Sequence, residues 1–366
     1  MLRFSALMEH ELTARGHLVT LLQPQSYLGR IRCVGPSLRK WLGYADKFVI
    51  FPRKLKSIRK DFDVIHICDH SNAMYTRYLA DVPHLVTCHD VLAIRSALGE
   101  IPQNLVSRTG KKFQSMILAG LKAARMIVCV SENTRTELLR VTGCDSRKVL
   151  VTYLSLNYPY SPMERETALV RLDKLGFDAR RPYLIHVGGT VWYKNKLGVL
   201  EIFDRLRKLV APASVRLLMV GKPLSSSLLD YIREHELEGL IDRYSEVSNE
   251  DLRAAYSLSQ GLIFPSLQEG FGWPVLEAQA CGCPVFTTAR APMTEVGGRG
   301  AVYLDPSDTA GAAKIIVDGL RRCDAIRLAG LENIQRFGVE QMIQGYLNAY
   351  RKLMHLSIDE VNLVEI

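Results

Sequence analysis

The sequence predicts an α/β protein of two domains, each a parallel sheet layered with helices. Three observations lead there. Strand-like apolar runs alternate with helix-like segments through both halves of the chain, the pattern of a parallel sheet covered on its faces. A length of 366 residues favours two domains over one. Between the halves, residues 154–181 carry Pro159 and Pro162 and end in the turn Asp178-Ala-Arg-Arg-Pro182, which reads as a join. The domains are placed at 1–160 and 182–339, with a linker at 161–181.

In the first half, Phe4, Leu7, Met8 and Leu12 recur at helical spacing, so residues 3–16 read as a helix ended by Gly16. His17-Leu-Val-Thr-Leu-Leu22 reads as a strand. Val64-Ile-His66-Ile-Cys68 is a short buried strand. Its alternating His66, Cys68 and His70 raise a metal reading, but the isoleucine-rich setting favours an ordinary core strand. His84–Cys88 is a strand that ends in His89-Asp90, a polar pair at the carboxyl end where open α/β sheets place ligand groups. A histidine satisfied by backbone is the plainer reading of His89. A helix follows over 105–124, a strand over Met126–Val130, a helix capped by Ser131 and closed near Gly143, and a strand over Lys148–Thr152.

A short helix near 164–175 falls within the join. Tyr183–Val187 then opens the second half and runs into Gly188-Gly189-Thr190-Val-Trp192-Tyr193-Lys194-Asn195-Lys196. A Gly-Gly turn at a strand end lets the backbone approach a ligand, and Lys194 and Lys196 supply cations. Val215–Val220 leads into Gly221-Lys222-Pro223, and Ala301–Leu304 is the last strand.

The most informative stretch runs from Phe264 to Pro284. It reads as a strand end, a loop holding Glu269, Gly270, Phe271 and Gly272, and a short helix. Pro274 suits the first helical position and Gly282 the residue past the end, with Pro284 blocking continuation. The free amides of such a first turn, at the positive end of the helix dipole, make an anion site. Glu269 and Glu277, with seven residues between them, project toward the same mouth. Carboxylates beside a phosphate site suit sugar hydroxyls better than the phosphate itself.

This stretch resembles the Glu-x7-Glu signature of retaining glycosyltransferases with the GT-B fold, of family 4 type (glycosyl transferases group 1). Pro-Ser before it, Gly-Phe-Gly within it and Glu-Ala-x-Ala-x-Gly-x-Pro-Val after it make the likeness specific. The resemblance implies two Rossmann-like domains facing a central cleft, with residues 340–366 crossing back as a helix onto the first. It implies that the first strand and glycine-rich loop of the first domain, roughly twenty residues, are missing here. It further implies transfer of a hexose from a nucleotide diphospho-sugar to a glycan or lipid-linked acceptor, in cell-envelope or exopolysaccharide synthesis. Gly189, Lys194, Lys196, Gly270, Phe271, Gly272 and Glu277 would hold the donor: the lysines the diphosphate, Glu277 the ribose. Glu269 would orient the hexose, with His89 as the catalytic histidine of the first domain. No cofactor and no metal are implied. Tyr244–Ser248 and the helix after it look like the segment whose backbone reads the nucleotide base. A non-catalytic or truncated binder of nucleotide-sugars, or a GT-B epimerase, is the alternative.

Residues 1–60 hold twelve lysines and arginines against three acidic residues, the whole of the net charge of +9. Residues 30–60 therefore read either as a solvated helix face or as a surface for anionic lipid head groups or an anionic acceptor. No recognised nucleic-acid motif accompanies the charge, so nucleic acid is not expected. No apolar run reaches membrane-spanning length, and the opening residues are charged rather than signal-like. The eight cysteines read as buried reduced thiols. These point to a cytoplasmic protein, peripheral on the membrane face.

Overall fold

The computed structural model describes residues 2–25, 28, 35–210 and 215–362. The chain divides into two compact units: residues 1–153 with 340–366, and residues 154–339.

In the first unit four strands, β1 (Ile65–Ile67), β2 (His84–Cys88), β3 (Met126–Cys129) and β4 (Val149–Val151), pair in that order, all parallel. The central strands β2 and β3 are buried throughout, as in a sheet covered on both faces, while the outer β1 and β4 are half-buried. The helices Leu92–Ala97, Arg108–Ala123 and Glu132–Thr142 connect them, and Ser131 caps the last by accepting from the Thr134 amide at 3.0 Å. Ile94, Ile117, Leu121 and Leu138 fill the core against β2 and β3. The helix Val339–Asn362 returns to this sheet. Tyr350 bonds His66 Nδ1 at 2.9 Å, His66 Nε2 bonds the Thr87 hydroxyl at 2.7 Å, and Thr87 meets the Tyr346 hydroxyl at 3.1 Å. Burial holds His66 neutral, its pKa lowered to about 3. This buried polar chain fixes the tail on β1 and β2.

One expected strand does not form. His17–Leu22 is irregular and has no strand partner among the described residues, and Leu18 is fully exposed. An apolar run is held as a strand by a neighbour's ladder. Among the described residues β1 has a strand neighbour on one side only, β2. The basic stretch forms one helical run, Pro36–Ala45, a π turn Asp46–Ile50 and Phe51–Ile58. Arg30 and Arg32 lie outside the described residues.

The second unit holds six parallel strands: β5 (Tyr183–Val187), β6 (Arg216–Val220), β7 (Ile241–Tyr244), β8 (Leu262–Phe264), β9 (Val285–Thr288) and β10 (Ala301–Leu304). Their order is β10-β9-β8-β5-β6-β7. Chain order reverses between β5 and β8, and the carboxyl ends of strands at such a switch point are where open α/β sheets bind ligands. Phe203, Leu206, Leu217, Phe286 and Ile316 belong to the core. The segment expected as a linker is part of this unit. Its helix Arg165–Leu175 sets Arg171 in an ion pair with Asp251, Nε to Oδ1 2.7 Å, and the Met163 amide bonds Ser257 Oγ at 3.0 Å. The division therefore falls at Tyr153–Leu154 rather than at 160.

Candidate functional site

The loops after β5 and β8 are tied to each other at three levels. The Leu267 amide donates to the Tyr193 carbonyl at 2.8 Å. Asn195 Nδ2 donates to the Pro265 carbonyl at 3.1 Å, and Lys194 Nζ donates to Glu269 Oε1 at 2.6 Å. Asn195 has a second role. Its backbone is left-handed, φ 51°, and its Oδ1 caps the helix Lys196–Leu209 at the Gly198 amide, 3.3 Å. Nothing in local sequence pairs residues about seventy positions apart, so this link had no sequence signal.

The Lys194–Glu269 pair is nearly enclosed, with side-chain exposures of 15 % and 9 %. Lys194 also sits over the Phe264 ring, 4.9 Å from its centre. The sequence reading gave Lys194 to a diphosphate and Glu269 to a sugar. The structure joins them, so an arriving phosphate meets a cation already paired to a carboxylate.

The helix after the β8 loop runs from Trp273 to Ala280, placing Pro274 second rather than first, where its missing N–H is equally harmless. Gly272, at the N-cap, has φ 101°, and a side chain there would strike Met293, with Cβ 2.2 Å from Cε. The left-handed backbone is what calls for glycine, since the end of the Met293 side chain could move aside. The far end closes as a Schellman motif: the Gly282 amide bonds the Gln279 carbonyl at 3.0 Å and the Cys283 amide the Ala278 carbonyl at 2.8 Å. Phe271 turns its ring inward, 6.0 Å from Phe337, so it offers a ligand only backbone. Glu277 is 7 % exposed and accepts from the Tyr256 hydroxyl at 3.3 Å. Tyr256, wholly buried, was not foreseen; it braces the carboxylate from beneath.

Gly188 and Gly189 differ. A Cβ on Gly188 would lie 2.9 Å from His186 Nε2, whereas Gly189 faces open space. His186 is fully buried, its pKa lowered to about 4 mainly by that burial. Its Nδ1–H donates to the Ile263 carbonyl at 2.9 Å, and Nε2 has no partner. Ser266 Oγ, Gln268 Oε1 and Thr288 Oγ1 are likewise buried and unpartnered. His186 and Thr288 lie at the carboxyl ends of β5 and β9, and Ser266 and Gln268 just beyond that of β8; Asn157 Oδ1 is a further unpartnered atom away from these strands. Unsatisfied polarity is costly and rare, so its concentration along one sheet edge is informative.

Lys196 stands apart from the Lys194–Glu269 pair. Burial lowers its pKa, and Nζ donates to the Lys222 carbonyl at 2.9 Å. It lines a cavity of about 260 Å³ at the carboxyl ends of β6 and β7, with Gly221, Lys222, Pro223, Tyr244 and Ser245. Glu269 and Glu277 do not line this cavity.

His89 follows the carboxyl end of β2 in the first unit. Its Nε2–H donates to the Cys68 carbonyl at 2.9 Å, and Phe4 meets the ring edge-on at 5.3 Å. Burial outweighs that hydrogen bond and lowers the pKa to about 4, so the ring is neutral at pH 7. One ring nitrogen of His89 is thus engaged by backbone, and the ring is held against Phe4. Among the described residues no three His, Cys, Asp or Glu side chains gather as metal ligands, and the seven described cysteines are free thiols.

Two parallel α/β units, one with a glycine-capped helix and paired acidic residues at its sheet edge, define the GT-B class. Comparison with known proteins agrees. The family profile "Glycosyltransferase Family 4" matches residues 4–157, and "Glycosyl transferases group 1" matches residues 171–318. O-antigen chain mannosyltransferase B of Escherichia coli is 27 % identical over 237 residues, 64 % of this chain and 62 % of that protein. The O-antigen chain mannosyltransferase RfbU of Salmonella typhimurium is 25 % identical over 197 residues, 54 % and 51 %. The matched stretch thus spans under two thirds of either relative. The sucrose-phosphate synthase structure from Thermosynechococcus elongatus superposes with a TM-score of 0.69 at 18 % identity, covering 92 % of this chain and 83 % of that one, which shows the shared fold. The chain belongs to the GT-B glycosyltransferases of family 4 type.

Proposed function

We propose that this chain transfers a hexose, mannose first among the candidates, from a nucleotide diphospho-sugar to a glycan or lipid-linked acceptor in cell-envelope polysaccharide synthesis, with retention at the anomeric carbon. The mannose reading rests on the names of the two O-antigen relatives. The carrying observation is the edge of the second sheet: two laced loops with Lys194, Glu269 and Glu277, beside four buried polar atoms without partners.

The diphosphate would lie at the first turn of Trp273–Ala280, over Gly270, Phe271 and Gly272, where the positive end of the helix dipole meets negative charge developing on the leaving group. Lys194 would turn from Glu269 to the phosphates, and Lys196 would add a second cation. The freed Glu269 would accept from the hexose hydroxyls. Open space beside Gly189 would admit the donor, and Glu277, held by Tyr256, would accept from the ribose. The cavity between Gly221–Pro223 and Tyr244–Ser245 would take the base. These cations and amides would serve without a metal. His89 is proposed to support turnover from the first unit, and the basic face of residues 30–60 to meet an anionic membrane surface.

Thermal unfolding with a panel of GDP- and UDP-sugars, each in Mg²⁺ and in EDTA, tests this. At least one donor should raise Tm equally in both, and that donor should then support transfer to a lipid-linked glycan. Stabilisation by no nucleotide-sugar, or only with Mg²⁺, would contradict the proposal. Stabilisation without transfer would favour a non-catalytic binder.

A further inference from the structure

The helical run Pro36–Ile58 is buried on one side only. Phe51 and Leu55 pack with Met74, Tyr75, Leu79 and Val82, and the buried Asp46 accepts from the Leu28 amide at 3.0 Å. The other side is an apolar patch in water. Trp41 is 69 % exposed, Leu38 52 %, and Tyr44 and Val49 43 % each. Leu38, Trp41 and Tyr44 recur every third residue and so share one side of the helix. Trp41 and Tyr44 stack edge-to-face at 5.8 Å, forming one apolar surface. Charge on the same run is of one sign. Arg39, Arg53, Lys54, Lys56 and Lys60 are exposed, and Asp46, the one acidic residue between 36 and 60, is buried.

We infer that Leu38, Trp41, Tyr44 and Val49 insert into the interfacial layer of an anionic bilayer, with the flanking cations on its head groups. The inference deepens the basic-face reading above and rests on it. Charge alone would give a loosely held, salt-labile contact; the exposed aromatic side adds apolar burial that salt does not screen. A protein partner fits less well, since interface cores are depleted in lysine while Trp and Tyr beside Lys and Arg suit a membrane interface. Such docking would keep the enzyme at the surface where a lipid-linked acceptor resides.

The test is co-sedimentation of the full chain with phosphatidylcholine vesicles, with and without 30 mol % phosphatidylglycerol, in low and high salt. Wild type should bind the anionic vesicles, and high salt should weaken but not abolish binding. L38S/W41A should bind at least about tenfold more weakly, with unchanged circular dichroism and donor-induced Tm shift. Brominated lipid should quench the fluorescence that W41A removes. R53E/K54E should lose the preference for anionic over neutral vesicles. If L38S/W41A binds like wild type and salt removes all binding, insertion is wrong and the basic face alone acts. If wild type binds no vesicle, both readings fall. A wild-type dimer that L38S/W41A splits would make the patch a contact between copies and overturn the inference.

Discussion

The two units share an architecture and differ at the carboxyl edge of the sheet. In the first, polar side chains there are satisfied from within: His66 by Tyr350 and Thr87, Thr87 by Tyr346, His89 by the Cys68 carbonyl. In the second, His186, Ser266, Gln268 and Thr288 each keep a buried polar atom unpaired, and a lysine–glutamate pair closes the same edge. Among the described residues, every buried side-chain polar atom without a hydrogen-bond partner lies in the second unit. One fold thus spends its polar groups on its own tail helix in one copy and holds them uncommitted in the other. The uncommitted edge is where we place the donor.

That contrast can be broken from either side. The largest effect is expected from Lys194→Ala. Turnover should fall by about 10²–10³-fold, as loss of a charge-stabilising donor does, and the Glu269 left behind should cost about 3–5 kcal/mol of stability. Urea unfolding and steady-state rates read both, and near-wild-type values would remove the pair from the site. Glu277→Ala should weaken donor binding about 10–100-fold, the loss of hydrogen bonds to a carboxylate, with a smaller effect on the rate of the bound donor. Calorimetric titration would show unchanged affinity if the ribose assignment were wrong. In the first unit, His89→Ala should lower turnover about tenfold or more while donor affinity stays put. A variant turning over like wild type would leave His89 as a packing residue only.

A further effect is a pH dependence of stability. Burial lowers the pKa of His66 to about 3, of His89 and His186 to about 4, and lowers that of His84. Above the ordinary histidine value near 6.5, neither folded nor unfolded chain binds these protons and stability is at its full value. As pH falls from there toward 4, only the unfolded chain takes them up, and each histidine removes up to about 1.4 kcal/mol per pH unit. Three of the four are in the first unit, so its unfolding, followed by hydrogen exchange, should steepen with acid more than that of the second. Equal acid sensitivity of the two units would contradict the burial account.

Much of this was legible in the sequence. Both α/β halves, the Ser131 cap, the glycine-capped helix and the two glutamates follow from local periodicity and from residue types with narrow backbone preferences. What was not legible depends on contacts between distant residues. His17–Leu22 has strand composition, but a strand needs a partner. The 161–181 segment looked like a linker because the contacts that claim it, from Ser257 and Asp251, come from another helix. Lys194 and Glu269 read as separate ligand groups because only folding brings them to 2.6 Å. The exposed Trp41 side was hidden beneath the basic charge, since exposure cannot be read from composition.

Hydrogen exchange on the full chain, with and without the nucleotide-sugar that most raises Tm, tests the donor placement most directly. The account predicts slowed exchange across 188–198 and 265–278, and little change in the tail helix 339–362. Protection confined to the first unit, with those two loops exchanging as before, would contradict it.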